Sequence, residues 1–172
     1  MSFPDIMEAY ALDPTAENLI ELHRAIMAAP SYDPMVMIAG SVAPLAKAGE
    51  HQAIVDELWR KMPGACLSPT AHMHLSLAYA NLGDEQAAQR ERKFAMLAMN
   101  SIRDGGDGTQ EHPFPVLRIE DEYTVINAVK QQSTGQRQIS DDSGHFDVHT
   151  LEDGSEMWFR LLWRGSPGGT VR

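Results

Sequence analysis

Two stretches of this chain, AKAGEHQAIVDELW (46–59) and ANLGDEQAAQRERK (80–93), lie 34 residues apart and share one pattern. Each carries an apolar helical run into Ala-x-x-Gly, then an acid, then Gln-Ala. Glycine suits the end of a helix because it takes positive φ without a Cβ clash. Gly49 and Gly83 are therefore expected to be corners between paired helices. One more step of 34 back reaches Thr15, where LDPTAENLIELHRAIMAAP has the cap residues and proline of a helix start, followed by Leu19, Leu22 and Ile26 at helical spacing. The pattern predicts helices at roughly 14–29, 35–48, 51–62, 69–82 and 84–100, with a short one at 4–11. Pro44 falls inside the second of these, which is expected to kink or to begin near Ser41.

A 34-residue helix–turn–helix period resembles that of tetratricopeptide repeats. The likeness is clearest over 69–100, where Leu75, Tyr79, Gly83, Ala88 and Ala95 stand at that family's leucine, tyrosine, glycine and alanine positions. Ser76, Arg92 and Asn100 depart from it, replacing a glycine, an aromatic and a proline. The resemblance implies that the first helices line a groove, here Val36, Ala39, Ala43 and Ala46, then Thr70, Met73, Leu77 and Ala80. These positions lack the lysines and asparagines with which some members hold a peptide carboxylate. An apolar groove calls for cover, from a partner peptide or from the chain's own C-terminal part.

SIRDGGDGTQEHP (101–113) interrupts the helical pattern and reads as a solvated linker. On that reading, valine is expected to cost more at Gly83 than at Gly108. Beyond it, FPVLRI reads as a strand and EDEYTVINAVKQ as a helix with Glu120, Asp121 and Glu122 in its first turn, where negative charge suits the helix dipole. GQRQIS, HFDVHTL and EMWFRLLW read as strands joined by the acidic turns DDSG and EDG. The expected fold class is α+β. Helical repeats fill 1–100, a linker 101–113 and a β-α-β-β-β unit 114–164, with a mobile tail at 165–172. Through GDGTQEHPFPVLRIEDEY and FDVHTLEDGSEMWF, residues 106–163 also resemble a small C-terminal domain that follows helical repeats in uncharacterised bacterial proteins, which implies architecture but no activity.

The chemistry visible in the sequence is sparse. His145, Asp147 and His149 alternate along one strand and share a face, which makes them the metal candidates. Three such positions span roughly 13 Å, too far for one ion, so a polar, solvated strand face is expected, with Phe146 and Val148 in the core. His72 and His74 point in different directions on a helix. Cys66, the single cysteine, is expected to be buried and inert. In the last strand Trp158, Arg160 and Leu162 face away from Met157, Phe159 and Leu161, and their composition is that of a covered or interacting face.

Charge narrows the function classes. The net charge is −10, and residues 1–100 and 101–172 each carry 12 acids and 7 bases. Neither part offers the basic stripe that phosphates require, so neither nucleic acid nor an anionic membrane is an expected partner. The N-terminus does not read as a signal peptide, and no stretch has the apolar length of a membrane helix. The expectation is a non-catalytic protein-interaction or adaptor protein of the bacterial cytoplasm, without a cofactor, whose interaction surface includes Val36, Ala39, Met73, Leu77, Trp158, Arg160 and Leu162. Two alternatives stand beside it: an enzyme or a ligand- or metal-binding protein with a site between the two parts, and an immunity or antitoxin-type protein.

Overall fold

A computed structural model describes residues 1–165, and the chain divides into two compact units, Met1–Ser101 and Ile102–Arg172. Residues 166–172 of the expected tail lie outside the described residues. The architecture is α+β. Among the described residues no helix is long and apolar enough to cross a membrane.

The first unit is helical: α1 (Phe3–Leu12), α2 (Ala16–Met27), α3 (Ile38–Ala48), α4 (His51–Arg60), α5 (Pro69–Asn81) and α6 (Glu85–Arg103), the last running just past the unit boundary. Side chains cap several starts. Ser2 and Asp5 form a reciprocal capping box ahead of α1, Ser68 accepts from Ala71 N at 3.1 Å, and Asp84 accepts from Ala87 N at 2.9 Å. The corners repeat bond for bond. Gly49 and Gly83 have φ of +74° and +83°. Their N–H groups donate to Ala46 and Ala80 carbonyls at 3.1 Å, and Glu50 and Asp84 N–H donate to Leu45 and Tyr79 carbonyls at 2.9 Å. This six-residue closure satisfies the last carbonyls of each helix and requires the left-handed residue that glycine supplies.

α3 begins at Ile38, later than position 35 though ahead of Ser41, and Pro44 lies inside it. Pro44 and Gly40 are both exposed, so the bond that the proline removes is on the solvent side, where water can replace it. The core of α3, α4 and α5 is built from Ile38, Val42, Ile54, Val55, Leu58, Leu75 and small alanines. Ser76 has a role there: its buried hydroxyl donates to the Ala88 carbonyl at 2.9 Å and ties α5 to α6.

The second unit has the order β1 (Phe114–Val116), α7 (Ile119–Ala128), β2 (Ser133–Asp141), β3 (Gly144–Leu151) and β4 (Glu156–Leu161), then a 3-10 turn at Leu162–Arg164. The sheet order is β1-β4-β3-β2, with β1 parallel to β4 and the other pairs antiparallel. Both acidic turns use one device: Asp141 Oδ1 accepts from the N–H and hydroxyl of Ser143, and Asp153 Oδ1 from those of Ser155.

Of the stretch expected to be a linker, 101–103 end α6 and 104–113 belong to this unit. Asp107 and Gly108 N–H both donate to the His112 carbonyl, at 2.9 and 3.0 Å, and Gly108 carbonyl accepts from Trp158 N–H at 2.8 Å. Gly108 is buried with φ +82°, and a Cβ on it would lie 2.6 Å from the Phe114 ring. Gly83 has positive φ but open space around it. The ranking drawn from the sequence is therefore reversed. Gly83→Val should cost about 1–3 kcal/mol through backbone strain alone, and Gly108→Val should cost more, because strain and overlap add. Thermal melting of the two variants checks this; a smaller loss at Gly108 would contradict the packing of 107–113 on the sheet.

Candidate functional site

Three features stand out, two in the helical unit and one in the α+β unit. The first is the face predicted as a groove. Ala39, Ala43 and Ala46 on α3 and Met73, Leu77 and Ala80 on α5 are all exposed, Met73 by 47% and Leu77 by 54%. Each trio has the i, i+4, i+7 spacing of one helix face. Val36 differs: it is half-buried and packs against the core.

The second is a cavity of about 470 Å³. Its walls include Phe3, Met7, Trp59, Met62 and Phe94, from α1, α4, the turn that follows α4, and α6. The polar groups on it are interlocked. His72 Nδ1 lies 2.8 Å from Glu91 Oε2, and His72 Nε2 lies 2.7 Å from the Cys66 carbonyl. Arg90 Nε donates to Glu91 Oε1 at 3.1 Å, and Phe94 stacks on the imidazole at 5.4 Å. Burial by itself would raise the Glu91 pKa, but the hydrogen bond and charge of His72, with those of Arg90, hold it below the ordinary carboxylate range. A carbonyl and a carboxylate both accept, so an imidazole donating from both nitrogens satisfies this geometry. Neither nitrogen is then left to take a proton from a substrate. Cys66 is buried, its sulfur 3.9 Å from that of Met7. Sequence reasoning set His72 aside with His74 and missed Glu91; the signal was available, since the two lie 11 and 8 residues either side of the Gly83 corner.

The third is a buried polar cluster where α7 meets β2 and β3. His149 Nε2 lies 2.7 Å from Glu122 Oε2, and its Nδ1 lies 2.8 Å from Ser133 Oγ. Tyr123 and Phe159 meet the imidazole edge-on at 5.3 and 5.5 Å. Asp147 accepts from Gln136 Nε2 at 2.7 Å, and Tyr123 hydroxyl donates to Gln136 Oε1 at 3.2 Å. This corrects the solvated face expected for HFDVH: Asp147 and His149 have no exposed surface. Their strand is central in the sheet and α7 supplies cover. His145 stands apart, half-buried and bonded to Ser140 at 2.8 Å. Among the described residues no group of three or more His, Cys, Asp or Glu side chains is arranged to hold a metal ion.

The acids of the α7 first turn stand where the sequence places them, and Glu120, Asp121 and Glu122 are all buried. Burial pushes Asp121 up to about 6 although Arg118, itself fully buried, lies 3.4 Å away. Burial likewise pushes Glu122 up to about 7; the His149 hydrogen bond opposes this, and the Asp147 charge adds to it. Glu122 Oε1 and Asp147 Oδ1 are buried with no hydrogen-bond partner among the described residues. Two neighbouring buried carboxylates of this kind favour keeping one protonated. Ser133, His149 and Glu122 stand in the order hydroxyl, imidazole, carboxylate, but Ser133 Oγ also reaches the Gly135 carbonyl at 3.1 Å. The hydroxyl is therefore shared between the imidazole and that carbonyl.

The residues predicted on the second face of β4 divide. Trp158 is 7% exposed and packs with Phe146, Val148 and Ile139 of its own unit. The Arg160 guanidinium lies 4.9 Å over Phe146 and that of Arg137 lies 5.9 Å over Trp158. Leu162 is half-buried in the 3-10 turn, because β4 ends at Leu161 and the alternation stops there. No family model, curated protein or solved structure matches this chain.

Two outcomes follow from the buried pairs. Glu122 and Asp121 have pKa values raised above their unfolded ones, so their contribution to stability is full at low pH and is lost as pH rises through about 6 to 7. Glu91 is shifted the other way, and its contribution is lost only as pH falls through its depressed value. The second unit should therefore gain on the order of 1–3 kcal/mol between pH 8 and pH 5, read as hydrogen-exchange protection of β3 and α7 in the full chain. Glu122→Gln should flatten that slope; equal protection at both pH values in the parent would contradict the buried-acid assignment. In the helical unit, Glu91→Ala should cost roughly 3–5 kcal/mol because it strands a buried imidazole, and His72→Leu with Glu91→Leu should cost less than the sum of the single changes. Additive losses in urea melts would show that the two side chains do not act as a pair.

Proposed function

We propose that the chain is a non-catalytic protein-interaction protein, an adaptor of the bacterial cytoplasm, whose helical unit is a short tetratricopeptide-like array that offers the α3/α5 face to an apolar segment of a partner. The observation that carries this reading is the exposure of Met73 and Leu77 beside Ala39, Ala43, Ala46 and Ala80. Large and small apolar side chains exposed on neighbouring helices suit contact with a partner's apolar side chains. The repeated glycine corners, with matching hydrogen bonds 34 residues apart, support the array. The absence of catalysis is supported by the saturation of the polar clusters: His72 and His149 each have both ring nitrogens engaged. The acidic balance of the chain favours a protein over a nucleic acid as partner.

Peptide-display selection on the full chain tests this. Met73→Glu with Leu77→Glu alters only exposed positions, so melting should move little. Peptides enriched on the parent should be rich in apolar residues and should lose the double variant by at least about tenfold, a loss that two hot-spot contacts readily account for. Failure to enrich any peptide, or enrichment of peptides that hold both proteins equally, would set the reading aside.

A further inference from the structure

The cavity of the helical unit lies among residues that the proposed interaction face does not use. Its volume of about 470 Å³ falls within the range of small-molecule sites, roughly 300–1,000 Å³. Its inner surface decides the polarity of what enters. His72 and Glu91 spend all their hydrogen-bonding atoms on each other, on Cys66 and on Arg90. Apart from Arg90, an entering group meets a largely apolar wall that includes Phe3, Met7, Trp59, Met62 and Phe94. A polar head pushed inward would forfeit its hydration without compensation, so the buried part of a ligand must be apolar.

Arg90 decides the other end. Its side chain is 52% exposed, and among the described residues its Nε alone is bonded, to Glu91. That bond leaves the two terminal nitrogens without a partner among the described residues. Lys93, one turn further along α6, lines an adjoining cavity of about 300 Å³ that shares Arg90 and Phe94 with the first. The first 100 residues hold seven bases among 12 acids, and three of the seven, Arg90, Arg92 and Lys93, fall within four residues here. An ammonium head would be repelled by Arg90 and Lys93, and Glu91 has no free oxygen to receive it. A single planar guanidinium fork matches a carboxylate in charge and shape.

We propose that this cavity binds a small amphipathic carboxylate, with its hydrocarbon part between Phe3, Met7, Trp59, Met62 and Phe94 and its carboxylate on the terminal nitrogens of Arg90. The ligand is bound and released without a chemical step, because the neighbouring imidazole is committed to Cys66 and Glu91.

Calorimetric titration of the full chain with octanoate, phenylpropanoate and octanol tests this, with Trp59 fluorescence as a second readout at the cavity wall. Octanoate or phenylpropanoate should bind saturably, and the better of the two assigns the hydrocarbon part to the aliphatic or the aromatic class. Octanol, which keeps the tail and removes the charge, should bind about tenfold or more weakly than octanoate. Arg90→Gln should bring octanoate down to the level of octanol and leave octanol unchanged; Lys93→Gln should have the same effect to a smaller degree. Met7→Trp, which fills the cavity, should reduce binding of all three at unchanged melting temperature. Absence of saturable carboxylate binding, equal binding of octanoate and octanol, or unchanged octanoate binding by Arg90→Gln would overturn the proposal. Because Met73 and Leu77 are untouched, each of these results is independent of the peptide-binding reading.

Discussion

Each unit of this protein is built around a buried imidazole–carboxylate pair, and much of the surrounding structure follows from the need to satisfy it. A charge taken out of water is tolerated only when its lone pairs and protons find partners. In the helical unit, His72 on α5 and Glu91 on α6 can meet only if the corner at Gly83 brings the helices together at the correct register, so the corner hydrogen bonds and the pair support one another. In the α+β unit, Glu122 at the start of α7 reaches His149 on β3, which places the helix against the central part of the sheet.

The same two residue types have opposite electrostatics in the two places. Arg90 adds a cation beside Glu91, and the carboxylate is stabilised despite its burial. Asp147 adds an anion beside Glu122, where burial already disfavours charge, and the carboxyl is pushed toward its neutral form. In one pair the cation of Arg90 stands beside the buried carboxylate and balances it. The other is a site where a proton is held at neutral pH. Hydrogen-bond geometry alone, 2.8 Å in one and 2.7 Å in the other, does not distinguish them; the third charge does.

This saturation also separates binding from catalysis in the functional reading. Reactive sites keep a nitrogen or oxygen ready for the substrate, whereas both histidines here are bonded at both nitrogens. What the helical unit leaves unsatisfied is of another kind: the exposed apolar surface of Met73 and Leu77, and the terminal nitrogens of Arg90 beside an apolar cavity. Under the proposed readings both serve recognition, one of a partner's side chains and the other of a small anion with a hydrocarbon part.

The helical corners and the β-α-β-β-β order were legible in the sequence because both are local. Glycine at 49 and 83 acts through its own φ, and Asp-x-Ser turns close on themselves. Strand alternation also told correctly that His145, Asp147 and His149 share a face. It did not tell whether the face was covered, because cover is supplied by α7, whose placement depends on side chains more than twenty residues away. Gly108 illustrates the same limit: its stretch has the composition of a solvated loop, and only the Trp158 hydrogen bond and the Phe114 ring show that it is packed. By itself the sequence determined which residues turn, which lie in helices and strands, and the acidic balance of the chain. Tertiary structure alone decided which carboxylates are buried and which cation or anion stands beside each, because burial and pairing are set by contacts between segments distant in the chain.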